Sequence, residues 1–213
     1  MFQKSFGTSG VNAIGSFQLS QLNSSSVQSK LKAAGINTNS KQYKAAVKQM
    51  MSAGNGAMYG NIQGIKNLMS HYDKDGDYIN PVNGLAGLLV TDENESSRKR
   101  IISIPDSSKE EMYELTKKEF LRENGVHNGD TTKRTDVYNN LYRKMSKKDR
   151  LAAGYTLEKY ERIYRQAFYD AAKKADPNWE IGKPIKAGAL DDVTRESAET
   201  GKSPAQATLD TKI

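Results

Sequence analysis

The residues best suited to do chemistry fall within five positions, Asp73-Lys74-Asp75-Gly76-Asp77, and they hold the only three carboxylates of the first 91 residues. Alternate aspartates on a Gly-containing turn repel one another unless something positive sits among them, and the usual occupant is a hard cation that takes oxygen ligands. The competing reading is an Asp-rich turn whose side chains satisfy nearby backbone N–H groups.

The segment Leu68-Met69-Ser70-His71-Tyr72-Asp73-Lys74-Asp75-Gly76-Asp77-Tyr78-Ile79 resembles an EF-hand, in which an amphipathic helix runs into a loop with carboxylates at its first, third and fifth positions. The resemblance implies Ca²⁺ held by side-chain oxygens of Asp73, Asp75 and Asp77 and by the backbone carbonyl of Tyr78. The chain departs from that pattern. The glycine of the sixth loop position is missing, as though one residue were deleted between Asp77 and Tyr78. Counting that deletion, Asn83 stands where the closing bidentate glutamate belongs; without it, Gly84 does. Pro81, Gly84 and Gly87 also make the exiting segment a poor helix. Loss of the bidentate carboxylate sets the expected affinity at roughly 10⁻⁴ to 10⁻³ M. His71 reads as a polar surface residue, because calcium prefers oxygen.

Enzyme signatures are missing from the sequence. It contains no His-Glu-x-x-His pair, Gly-x-Ser-x-Gly elbow, phosphate loop or dinucleotide glycine fingerprint. With no cysteine and only His71 and His127, the common nucleophile and general-base arrangements have few candidates. Glu110 with Glu114, and Glu158 with Glu161, are expected on solvated helix faces among lysines. The chain therefore reads as non-enzymatic.

The net charge of +7 invites comparison with nucleic-acid binders, as does an isoelectric point near 9.3. That is the second reading, resting on Arg98-Lys99-Arg100. The richest basic stretch, Arg143 to Arg150, leads into a helix carrying both signs and reads as a solvated face. Tyr155, Tyr160, Tyr164 and Tyr169 alternate with Arg162 and Arg165, a pattern that could stack a single strand. At helical spacing, however, Tyr160, Tyr164 and Phe168 fall on the apolar seam and read as core.

The elements that must position these residues are mostly helices. Serines open a first helix from about Ser25 to Ala34, and Gly35 stops it. A second follows Ser40 with Tyr43, Val47, Met50 and Met51 on one stripe. A third, roughly Ala57 to Tyr72, sets Gly56, Gly60 and Gly64 in a row that permits close approach by another helix. A hairpin of Leu88 to Thr91 with Ile101 to Ile104 is the one β signal. A capping box near Pro105 opens a helix to Gly125, another begins near Thr131 or Thr132, and Ser146 with Asp149 starts a short turn ending at Gly154. The last long helix starts at Thr156 and stops at Asp176-Pro177.

The expected architecture is mainly α: a single helical domain of about six helices over residues 27–176. A flexible N-terminal arm, residues 1–26, precedes it, and an extended strap anchored by Trp179, Ile181 and Ile185 runs to about Leu190 before a disordered tail to residue 213. Neither a conventional signal peptide nor a membrane span is legible, which suits a cytoplasmic protein or one exported by a non-classical route. As a whole the chain resembles an uncharacterised family of Gram-positive bacterial proteins, through Ser-Phe-Gln-Leu-Ser-Gln-Leu from Ser16, the Asp73 loop and Ala153-Gly154-Tyr155-Thr156. The resemblance assigns no functional residue. The expected function is a structural or interaction protein with a weak calcium loop, its partner another protein or a second copy of itself.

Overall fold

The computed structural model describes residues 16–53, 59–126 and 133–200. The chain divides into two compact units, Met1–Ala86 and Gly87–Ile213. Eight α-helices and one pair of two-residue strands make up the regular structure of the described residues, so the mainly α architecture holds.

In the first unit, α1 (Ser25–Ala33) begins where the Ser24 side chain accepts from Val27 N at 3.3 Å. It ends where Gly35, at φ +79°, lets Ile36 N reach Leu31 O at 3.0 Å and Gly35 N reach Lys32 O at 2.9 Å. Helix α2 (Lys41–Ala53) is capped by Ser40, whose Oγ accepts from Tyr43 N. Helix α3 (Ile62–Met69) starts at Asn61, whose Oδ1 accepts from Gly64 N at 2.7 Å. Phe17, Leu19, Leu22, Val27, Leu31, Ile36, Tyr43 and Ile65 are buried together as this unit's core.

The third helix is shorter than its apolar seam predicts. Tyr59–Gly60 is extended and forms β2, pairing antiparallel with β1, Phe17–Gln18, in the register Phe17 to Gly60. A Cβ on Gly60 would lie 3.1 Å from Leu19 Cδ2 and 3.3 Å from Phe17 Cε2, so the strand's own neighbours demand the small residue there. A Cβ on Gly64 would meet only its helix cap Asn61 within 4 Å. Gly56 lies outside the described residues. Gly60 and Gly64 therefore do not line one helix face against a neighbouring helix of this unit. Of the expected flexible arm, residues 16–26 are described, and they place Phe17, Leu19 and Leu22 in the core at 3–4% exposure. Three apolar anchors outweigh the polar composition between them.

In the second unit, α4 (Glu95–Arg98) precedes three packed helices, α5 (Asp106–Glu123), α6 (Arg134–Lys144) and α7 (Arg150–Ala175). Their shared core draws Met112, Leu115 and Phe120 from α5, Val137 and Leu141 from α6, and Leu157, Ile163, Tyr164 and Phe168 from α7. No strand forms at 88–91 or 101–104. Ile102 N donates instead to Thr156 Oγ1 at 3.1 Å, so this stretch is held by a side chain of α7 rather than by a ladder.

The short turn expected to end at Gly154 is a 3₁₀ turn, Lys147–Asp149, and α7 follows at once from Arg150. Gly154 lies inside that helix because Tyr142 packs on it: an added Cβ would stand 2.6 Å from the Tyr142 hydroxyl oxygen. The C-terminal strap is anchored by Trp179 and Leu190, both buried, while Ile181 is 50% exposed and Ile185 packs half-buried on the core. Past Leu190, where a disordered tail is predicted, α8 (Arg195–Glu199) forms under a capping box of Thr194 and Ser197 and buries Ala198. Residues 201–213 lie outside the described residues.

Candidate functional site

Helix α3 delivers the chain into the aspartate loop, and Gln42 of α2 fixes that exit: its Nε2 donates to Met69 O at 2.9 Å and to Tyr72 O at 2.8 Å. Asp73 then closes the turn. Its Oδ1 accepts from Asp75 N at 2.9 Å and from Asp77 N at 3.0 Å, its own N–H donates to Asp77 O, and its carbonyl accepts from Gly76 N. Gly76 adopts φ +86° where a Cβ would stand 3.0 Å from Lys41 O, so the glycine serves both the turn and its contact with α2.

The loop thus brings Asp73, Asp75 and Asp77 into one turn, but as a carboxylate capping backbone N–H groups. Among the described residues no group of three His, Asp or Glu is placed to hold a metal ion. Tyr78 pairs with Tyr72 in an isolated antiparallel bridge, with ring centroids 5.9 Å apart. Asn83 belongs to a second turn, where its Oδ1 accepts from Leu85 N at 3.0 Å. Gly84, at φ +70°, and Gly87, at φ +81°, keep the following chain out of a helix, and the next one is α4 at Glu95. The helix–loop–helix of the EF-hand resemblance is not formed. His71 is exposed, and its carbonyl accepts from Ile79 N.

Several side chains of the second unit's basic stretches lie against its own carboxylates. Arg98 lies 3.8 Å from Glu95, Arg100 3.7 Å from Asp149, and Lys144 3.0 Å from Glu111. Arg134 bridges Glu119 and Glu161 at 2.6 and 2.5 Å, and its guanidinium is held protonated first by the hydrogen bond to Glu161. Arg162 and Arg165, read beside the tyrosine seam, pair with Glu158 and Glu123. Tyr164 and Phe168 are fully buried and Tyr160 packs half-buried against them, so the aromatic row is core. Glu110 and Glu114 are exposed as read, with Glu110 also reaching Arg195, whereas the Glu161 side chain, read as solvated, is only 12% exposed and is held by Arg134.

Sequence reasoning missed Arg195, which reaches Glu110 at 2.8 Å and Glu199 at 3.1 Å. The Thr194 and Ser197 spacing of its capping box is the local signal that marks it. Among the described residues, exposed large apolar side chains are few. Leu89 at 54%, Val90 at 43% and Ile101 at 38% flank α4, while Met51, Val82 and Ile181 lie elsewhere. No described helix is long and apolar enough to cross a membrane.

The fold and these sites define a mainly helical protein with a self-capped aspartate turn and an extensively ion-paired C-terminal unit. The chain belongs to the family described as Domain of unknown function (DUF3879), which matches residues 36–213. No curated protein and no solved structure matches it.

Proposed function

We infer that this is a non-enzymatic structural or interaction protein that associates with a second copy of itself or with another protein through the Leu89, Val90 and Ile101 surface. The observation that carries this reading is the exposure of those three side chains at the two ends of the polar stretch 91–100: large apolar groups left in water mark contact surfaces when they cluster. Gly87 supports their placement, because its backbone lies against Lys147, where a Cβ would come within 2.5 Å of the carbonyl. Light scattering on the full chain, beside Leu89→Asp with Val90→Asp, tests it. A mass above one chain that falls to one chain in the variant supports self-association, whereas a single-chain mass for both points to a different partner.

Weak calcium binding is a separate part of this reading and rests on the spacing of Asp73, Asp75 and Asp77 alone. The turn's own hydrogen bonds account for its shape without an ion. Thermal unfolding in millimolar calcium against EDTA, with Asp75→Ala and Asp77→Ala as controls, tests that part without bearing on assembly.

A further inference from the structure

The two units handle charge in opposite ways. In the second, Arg98, Arg100, Arg134, Arg162, Arg165 and Arg195 lie against carboxylates of the same unit. The first has only three carboxylates, Asp73, Asp75 and Asp77, all in the loop that packs on α2 at Lys41, and residues 1–72 contain none. Lys30 and Lys32 on α1, Lys41, Lys44 and Lys48 on α2 and Lys66 on α3 are all exposed, and none is ion-paired with a carboxylate among the described residues. An ordinary solvated face mixes the two signs, as α5 and α7 do. One sign alone raises a positive potential over a folded surface, which salt screens in part and a polyanion relieves by direct contact.

On α2 the lysines are ordered. Lys41, Lys44 and Lys48 recur at intervals of three and four residues, opposite the buried Tyr43 and Ala46, along about 10 Å of helix. Near the end of α1 a groove that mixes polar and apolar surface is lined by Gln28, Ser29, Lys32, Asn37, Thr38 and Asn39 together with Gly35 and Ile36, and by no acid. Lysine, amide and hydroxyl groups are those that contact phosphate oxygens. No arginine precedes Arg98, so the planar fork that reads guanine or clamps a carboxylate is missing from this unit. Among the described side chains of this unit, Phe17 and Tyr43 are buried and Tyr72 and Tyr78 are half-buried against each other, so none of these four rings is a free stacking platform for a single strand. One exposed methionine, Met51, is too little apolar surface to anchor the helix in a bilayer.

We propose that the lysine face of α2, with Lys32 and the amides of the groove near the end of α1, binds the phosphate backbone of duplex nucleic acid without regard to sequence. The site is distinct from Arg98-Lys99-Arg100, two of whose three side chains are paired to Glu95 and Asp149, and it is independent of self-association.

The test is fluorescence anisotropy of the full chain with two labelled duplexes of unrelated sequence, about 24 base pairs each, across about 50 to 200 mM salt. The same titrations are run on Lys41→Gln/Lys44→Gln/Lys48→Gln and, as control, on Arg98→Gln/Arg100→Gln. These lysines are exposed, so circular dichroism of the triple variant should match the parent. The expected result is equal affinity for the two duplexes and at least a tenfold loss in the lysine variant. Its slope of log K against log salt should be shallower by about 0.9 per lysine removed, and the arginine control should change less than twofold. No binding at low salt, an equal loss in the arginine control, tighter binding to single strands, or stronger retention on phosphatidylglycerol vesicles than on duplex would each overturn the proposal.

Discussion

The hydroxyl of Tyr164, fully buried in α7, donates to Glu199 Oε1 at 2.7 Å and ties the centre of the longest helix to the five-residue α8. Glu199 also accepts from Arg195, and the Tyr113 hydroxyl donates to the Val193 carbonyl beside them. A helix of five residues cannot stand by its own hydrogen bonds, so these contacts with buried Ala198 and Leu190 hold it. Tyr164→Phe removes one hydrogen bond and no packing volume. The expected loss is about 1 kcal/mol, or about 2–4 °C in thermal midpoint, measured by differential scanning calorimetry.

The same tyrosines predict alkaline behaviour. Burial, then Glu114, Glu110 and Glu196, pushes Tyr113 up to about 12. Burial first, then the hydrogen bond to Glu199, raises Tyr164 further. The folded state thus holds these protons more tightly than the unfolded chain, whose tyrosines ionise near 10. The contribution of Tyr113 is fully present below pH 10 and is lost as pH rises from 10 through about 12, and that of Tyr164 is lost at higher pH still. Phenolate absorbance should rise in two stages, exposed tyrosines first and the buried ones together with loss of circular dichroism. Smooth titration of all eleven tyrosines with the helices intact would contradict this.

Gly154→Ala should destabilise the second unit by about 1–3 kcal/mol, because its Cβ would meet the Tyr142 hydroxyl oxygen at 2.6 Å. Adding Tyr142→Phe removes that atom, leaves the next contact at 3.1 Å and should recover part of the loss in urea denaturation. Gly87→Ala has no such relief: it meets backbone at 2.5 Å and carries φ +81°. Its loss should be the larger, with no recovery from truncating Lys147.

In the aspartate turn the three carboxylates are not equivalent. Asp73 carries two capping bonds, so Asp73→Ala should cost about 1 kcal/mol more than Asp75→Ala or Asp77→Ala in urea denaturation carried out in EDTA. If calcium binds at a Kd near 1 mM, a tenfold excess should restore about 1.4 kcal/mol to the parent and nothing to the double Asp75→Ala/Asp77→Ala variant. Equal losses for all three single variants would remove the capping account.

Several elements were written locally. Ser24 and Gly35 bound α1, Ser40 opens α2, and Gly125, at φ +77°, follows α5, because a cap or a left-handed glycine acts through its immediate neighbours. The Tyr164 and Phe168 seam was equally legible from its helical spacing. Other features required partners distant in sequence. The glycine row predicts a helix seam until Phe17 pairs with Gly60 across more than forty residues and makes Tyr59–Gly60 a strand. Ile101 to Ile104 has strand composition but no partner strand, and Thr156 takes its N–H instead. Gly154 reads as a stop until Tyr142 is laid on it.

By itself the sequence determined the mainly helical class, the turn at Asp73 and the carboxylate-free stretch before it, because composition, caps and periodicity act over a few residues. Tertiary structure alone decided that Asp73 caps its own turn, that Arg98 and Arg100 are spent on Glu95 and Asp149 while the lysines of α2 are not, and that residues 177–200 fold onto α5 and α7. Each of those depends on which groups meet in space, and charge and hydrogen-bonding capacity acquire a meaning only once their partners are fixed.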